Sequence, residues 1–215
     1  MKFTSEQVSI LKTLSKINEQ MYFTSNTLGL SSNDKNCIVY YDWDVIWKKS
    51  FGIYDMKSFL SVLSLYKEPE LIEEETNIII KEGREKTTIK HTSKQCIICP
   101  PDKETIFTSI NNQNKLHDTF KITKDEMSHL LLQTNVLKTQ HIVFNVNEIT
   151  SLNKNNSAVT NFTLQIEGMN SPEKTLDRTH FVNMRESSYT VKIMDNVVIF
   201  TDDVNKITYI FSLVI

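Results

Sequence analysis

The chain has 215 residues, 40% of them hydrophobic and 23% charged, with a formal net charge of −2. That supplies a core for one large or two small domains, and it excludes a protein that coats nucleic acid through overall positive charge, although local charge still sets the local field. No run approaches the ~18 consecutive apolar residues of a membrane span, the first residues lack the apolar stretch of a signal peptide, and Cys37, Cys96 and Cys99 are too few and odd in number for a disulfide framework.

In chain order, Met1–Phe3 reads as a short strand. Thr4-Ser5-Glu6-Gln7 then fits a capping box, with Ser/Thr followed three residues later by Glu/Gln. The helix it opens places Ile10, Leu11, Leu14 and Ile17 within one arc of roughly 120°. Ser5, Ser9, Lys12, Thr13 and Lys16 lie opposite, with the two lysines one turn apart. Hydroxyls beside lysines suit a face that passes close to phosphates, although from these residues alone a solvated helix face is the plainer reading.

Strands follow at Gln20–Ser25, Asn36–Tyr41, Asn77–Lys81 and Lys86–His91, with a short helix at Met56–Leu65. The acidic run Glu73-Glu74-Glu75 reads as a solvated strand edge or loop. Cys99-Pro100-Pro101-Asp102-Lys103 reads as a connector between domains.

The opening pattern then recurs. Asp118–Ile122 is a strand, and Thr123-Lys124-Asp125-Glu126 is a second capping box. Met127, Leu130, Leu131, Thr134 and Leu137 form the packing face of the helix that follows. Asp125, Ser128, His129, Leu132 and Gln133 form the other face, with Val136 close by. We therefore expect an internal repeat of two similar domains, 1–105 and 106–215. Further strands are expected at His141–Val146, Val159–Ile166, Thr179–Met184, Tyr189–Met194, Val197–Thr201 and Ile207–Ile215, with a loop at Ser151–Ser157. Several alternate apolar with polar, as half-buried antiparallel strands do.

Catalytic chemistry finds little support. Cys96-Ile97-Ile98-Cys99 is a lone CxxC; a structural zinc site needs four ligands, and His91 is the one further candidate nearby. A redox CxxC should open a helix, whereas Pro100-Pro101 follow here. Phosphate-cradle and nucleophile-elbow motifs are absent. We expect no enzyme, no catalytic residues, no metal and no cofactor.

The run Ser50-Phe51-Gly52-Ile53-Tyr54-Asp55-Met56, continued by Phe59, Leu60, Leu63 and Leu65, closely resembles the sliding clamps of T-even-like tailed phages. The opening Met1-Lys2, the Leu11-Lys12 pair and Ile17-Asn18 are similar too, as are Asn77–Lys81 and Lys86–His91. In the second half, Phe120–Leu137 and Phe181-Val182-Asn183-Met184 resemble the family more loosely. The likeness covers nearly the whole chain and rests on order and register rather than on one diagnostic motif.

The resemblance implies an α+β DNA-clamp fold: two similar domains of antiparallel sheet with inner helices, ring-forming. Three subunits would close around double-stranded DNA and tether a DNA polymerase, with a clamp loader as a further partner. Some relatives also engage the transcription machinery. No membrane is involved, and the location would be the cytoplasm of an infected bacterium. The alternative is a β-rich phage structural or scaffold protein that forms no ring.

Lys12 and Lys16 are the first candidates to face DNA, followed by Lys57, Lys124 and Arg185. Family members carry arginines on the second inner helix, and Leu132 and Asn135 stand at the corresponding positions here. The resemblance also implies a pocket for a partner's apolar peptide. Cys96, Ile97, Ile98 and Pro100 would form one wall, and Tyr209, Phe211, Leu213 and Ile215 another. Core packing is the competing reading for the inward positions of that last strand.

Overall fold

A computed structural model describes residues 1–153 and 161–214. Threonines open both long helices as expected. Helix α1 spans Ser5–Leu14, and its N-cap Thr4 accepts from Gln7 N–H while the Gln7 side chain returns to the Thr4 N–H. Strands β1 (Met21–Phe23), β2 (Thr27–Ser31), β3 (Cys37–Asp42) and β4 (Phe51–Ile53) follow, then α2 (Met56–Leu63). A separate meander of β5 (Glu70–Glu73), β6 (Asn77–Glu82) and β7 (Glu85–Lys90) completes the first half.

The connector contains a helix that the sequence pattern does not announce, α3 (Lys103–Gln113), and the boundary expected at 105/106 falls inside it. Beyond it come β8 (Leu116–Ile122) and α4 (Lys124–Val136), the latter opened by the Thr123–Glu126 capping box. The second half continues with β9 (His141–Asn145), β10 (Glu148–Leu152), β11 (Phe162–Gln165), β12 (Lys174–Asp177), α5 (Arg178–Phe181), β13 (Tyr189–Met194), β14 (Val197–Asp202) and β15 (Ile207–Val214).

Several expectations need correction. Thr179–Met184 is not a strand: the Asp177 carboxylate caps Thr179 N–H at 2.7 Å and starts the short helix α5. Ser151 and Leu152 belong to β10, and the rest of the expected loop from residue 154 lies outside the described residues, as do positions 159 and 160 of the expected Val159–Ile166 strand. Met1–Phe3 forms no strand, yet Met1 and Leu71 exchange two backbone hydrogen bonds at 2.7 Å.

The two halves follow one pairing scheme. β1 pairs with β2 and β4, and β2 with β3; β9 pairs with β10 and β12, and β10 with β11. The β5-β6-β7 meander corresponds to β13-β14-β15. Met1 beside Leu71 takes the place of Phe120 beside Val191, which also aligns Thr4 with Thr123. The isolated bridge Gly52–Thr92 corresponds to the pair Thr175–Val214.

β15 joins the halves. Its residues Ile207 to Phe211 pair antiparallel with Tyr41 to Cys37 of β3, so one sheet runs across the junction. The matching slots at the ends are unfilled: among the described residues, β7 has only β6 and β11 has only β10 as a strand neighbour.

Helices α1, α2, α4 and α5 pack on one face. Leu11 and Leu14 of α1, Phe59 of α2, Leu130 of α4 and Phe181 of α5 share one core with Tyr209 and Phe211 of β15. Each half has its own aromatic cluster there. Phe23, Trp43, Trp47 and Phe51 pack within 6.0 Å of a ring neighbour in the first, as do Phe181, Phe200 and Phe211 in the second. Full burial of each such ring stabilises by roughly 1.5–3 kcal/mol. On the opposite face α3 lays Ile110, with Ile106 and Phe107 beside it, on a smaller cluster of Tyr40, Met194, Ile199 and Ile210.

Candidate nucleic-acid interface

The helix-bearing face collects the candidate phosphate-facing residues of the first half. Ser5, Ser9 and Lys12 are exposed along α1, while Ile10, Leu11 and Leu14 are buried beneath; the helix ends at Leu14, short of the expected Ile17, so Lys16 is exposed in the turn that follows it. Neither lysine forms an ion pair among the described residues. Lys12 lines a groove between α1 and α2 whose other cation is Lys67, a residue that no sequence pattern singles out. Lys16 lines a second depression with Tyr54, Asn33 and Lys57.

The remaining candidates are placed differently. Lys57 forms an ion pair with Glu19, which offsets its charge locally. Lys124 is exposed at the first turn of α4, and its backbone N–H is held by Ser188 at 3.0 Å. Arg185 is bound to Glu6 at the start of α1 at 2.9 Å, and its backbone N–H donates to the Tyr209 hydroxyl at 3.3 Å. It therefore ties the two halves together.

The exposed stripe of α4 beyond Lys124 holds no lysine or arginine. It carries Asp125, His129, Leu132 and Val136, with Leu132 and Val136 56% and 66% exposed. A cation from another element caps the end of this helix. Arg178 of α5 donates to the carbonyls of Thr134 and Thr139 at 3.2 and 3.0 Å and to the Asn135 side chain at 3.4 Å. A guanidinium at a helix C-terminus complements the carbonyl dipoles left open there.

The two walls of the expected peptide pocket lie apart, which corrects that expectation. Side chains of a strand alternate between its faces. Tyr209, Phe211 and Leu213 point into the helix-side core and are buried. Ile215 lies outside the described residues. The connector runs over the opposite face of the first half. Register pairs Tyr40 with Gly29, Gly29 with Tyr22 and Tyr22 with Gly52 in one row across β3, β2, β1 and β4. The two glycines leave room for the crossing chain: a Cβ on Gly29 would meet Pro100 at 3.1 Å, and one on Gly52 would meet Ile97 at 2.7 Å and the Thr92 carbonyl at 2.8 Å.

Ile98 N–H donates to Gln20 at 2.6 Å, and the Tyr40 hydroxyl donates to Pro101 O at 2.7 Å. Cys96 is exposed and Cys99 half-buried. A cleft of about 640 Å³ remains between this connector and the sheet, lined by Tyr22, Gly29, Tyr40, Pro100 and Lys103 among others.

Among the described residues, no three His, Cys, Asp or Glu side chains gather to hold a metal. Burial pushes the Cys37 and Cys99 thiols up, away from the reactive thiolate. Burial also lowers His91, whose ring stacks on Phe51 at 4.4 Å. At the junction, His180 of α5 contacts both carboxylate oxygens of Asp34 at 3.0 Å. Burial raises Asp34, but hydrogen bonds from Ser32, His180 and the Asn36 N–H outweigh it and hold the carboxyl at about 2. Among the described residues, no helix is long and apolar enough to cross a membrane.

No protein-family model and no curated protein matches the sequence. Solved sliding-clamp structures do match the fold. The DNA polymerase III subunit beta of Pseudomonas aeruginosa superposes with a TM-score of 0.65 at 11% identity, over 96% of this chain and 62% of that one. A putative DNA polymerase III beta subunit from Eubacterium rectale gives 0.70 at 11%, over 97% and 62%. The DNA polymerase III beta chain of Streptococcus pneumoniae gives 0.64 at 12%, over 96% and 63%. The chain thus spans less than two thirds of the length of these structures. It has the α+β DNA-clamp fold, with antiparallel sheets and helices packed on them.

Proposed function

We propose that this chain is a sliding-clamp subunit that encircles duplex DNA as a homotrimer and tethers a DNA polymerase, and that it performs no bond chemistry of its own. The observation that supports a ring most directly is the pair of unlike free edges. β7 and β11 occupy the slots that β15 and β3 fill at the junction within the chain. A second copy can repeat that junction, and repetition around an axis closes a ring of alternating, similar units. The domains would be 1–105 and 106–215, joined through the connector.

Helices would then line the hole. Lys12 and Lys16, with Lys67 and Lys124, would meet phosphates weakly and without reading bases, which permits sliding. Arg185 and Lys57, already paired, contribute less. A closed ring leaves DNA only at an end or by opening, so the tether needs no tight binding. A clamp loader that opens the ring, the T-even-like phage origin with the host cytoplasm as location, and contact with transcription machinery extend this reading from the sequence resemblance. The partner-peptide site would lie at the connector, where Pro100 lines the cleft beside Tyr22 and Tyr40 and Cys96 and Ile98 lead into it along the chain.

Light scattering across a concentration series is the first test. With 25.0 kDa per chain, a trimer appears near ~75 kDa. Retention on circular but not on linear duplex DNA would then show encirclement. A monomer at every concentration that also ignores circular DNA would favour the β-rich structural protein that forms no ring.

A further inference from the structure

The internal repeat specifies how two copies would meet, residue by residue, and this inference rests on the ring reading above. Two independent paths through the hydrogen-bond ladders fix the alignment of the halves. Along the meanders, Ile78 faces Ile89 as Val198 faces Phe211, so Ile89 corresponds to Phe211 and Lys86 to Thr208. Through the other strands, Tyr22 faces Gly29 and Gly29 faces Tyr40, as Val143 faces Thr150 and Thr150 faces Thr163, so Tyr40 corresponds to Thr163. The two paths meet consistently. Tyr22 faces Gly52, which bridges Thr92, and Val143 faces Thr175, which pairs with Val214; Thr92 and Val214 also correspond along the meanders.

Within the chain Thr208 lies opposite Tyr40, and Tyr209 opposite Val39. Transferred to the free edges, this becomes Lys86 opposite Thr163 and Thr87 opposite Phe162. We propose that β7 of one copy pairs antiparallel with β11 of the next in this single register.

Burial agrees with the assignment. Tyr209 and Val39 point into the helix-side core, and Phe162 and Ile89 are already half-buried against that core in the single chain. Lys86, Thr88 and Thr163 are exposed, on the parity of Thr208 and Tyr40. A slip of one residue would turn Phe162 and Leu164 to the wrong face, so slips of two are the only near alternatives. The joint between copies also differs from the joint within the chain. There α3 covers Tyr40 and Ile210 with Ile110, whereas the residues assigned to the same outer face between copies are Lys86, Thr88 and Thr163. Apolar contact between copies would therefore lie on the helix side, centred on Phe162.

Disulfide trapping tests the register. In full-length protein with Cys96→Ser and Cys99→Ser, Lys86→Cys is combined with Thr163→Cys and oxidised mildly. Thr88→Cys with Asn161→Cys is a second pair in the same register. Lys86→Cys with Gln165→Cys, and Thr88→Cys with Thr163→Cys, report slips of two. Mass by light scattering is recorded before oxidation. The expected result is a trimer in which the in-register pairs link at least tenfold faster than the slipped ones, while single-cysteine variants do not link. A trimer whose slipped pairs link fastest, or in which none link, would overturn the register and leave the ring intact. A monomer at every concentration would remove both.

Discussion

The two halves of the subunit are latched where His180, on a short helix of the second half, meets both carboxylate oxygens of Asp34, on a turn of the first, at 3.0 Å. The same carboxylate holds the Asn36 N–H at 3.1 Å, so the turn and the junction share one anion.

That shared anion gives the junction a pH signature. The folded-state Asp34 carboxyl sits at about 2, below the ~3.9 of an unfolded aspartate. Its contribution is fully present above about pH 4 and is lost as the pH falls through about 2. Asp34→Asn should lower stability at pH 7 by about 1 kcal/mol, a value discounted for a half-exposed pair. In thermal melts the gap between wild type and variant should close between pH 4 and pH 2. A gap independent of pH would show that the charge on Asp34 contributes nothing.

Lys12→Ala with Lys16→Ala should weaken clamp-dependent DNA synthesis without changing oligomeric mass. The slope of log affinity against log salt should fall by about 0.9 for each phosphate that these lysines no longer neutralise. An unchanged slope across a salt series would take α1 off the DNA path.

Arg185→Ala should behave in the opposite way. It strands Glu6, its partner at 2.9 Å, and removes a link between halves. Stability should fall by about 0.5–1 kcal/mol, read by denaturant titration, while the salt slope of DNA binding stays put. A drop in that slope would return Arg185 to the DNA-facing set.

Gly52→Ala should cost more than Gly29→Ala. The added Cβ meets a backbone carbonyl at 2.8 Å at the first position but the edge of the Pro100 ring at 3.1 Å at the second. Gly52 and Thr92 also exchange two backbone hydrogen bonds at 2.8 Å, which fix the spacing there. Overpacking of this kind costs roughly 1–3 kcal/mol. Hydrogen exchange should quicken first at Thr92 and the connector. Equal melting temperatures for the two variants would contradict the close crossing.

Local chemistry is legible in the sequence where it is self-contained. The boxes at Thr4 and Thr123 act within one turn, and both form as their spacing predicts. Strand β13 alternates over most of its length, with Tyr189, Val191 and Ile193 buried and Lys192 exposed between them. Helix α3 is hard to see because only Ile110 is fully buried among its eleven residues, so its amphipathic signal is weak. Its start after Pro100-Pro101-Asp102 is the available clue. The strands Thr27–Ser31 and Lys174–Asp177 are short, and tertiary pairing rather than propensity makes them strands.

The candidate site is half legible. Spacing alone places Lys12 on an exposed face, because a helix repeats every 3.6 residues, and Lys16 is exposed as expected although it falls in the turn after α1. Partners distant in sequence decide the rest. Glu6 lies 179 residues from Arg185, and nothing local reveals that pairing. The pocket expectation takes β15 as one apolar surface, whereas its odd-numbered residues from 207 to 213 face the core. Parity along the strand carries that information, and the continuous apolar run Tyr209–Phe211 obscures it.

The unlike free edges, β7 and β11, carry a topological consequence. A head-to-tail contact has no built-in stopping point: every copy added leaves one edge of each kind exposed. Only curvature ends the growth, when the last edge meets the first. In the proposed ring, the angle between successive units would therefore act as a counting device, and a change that flattened it would turn rings into open filaments.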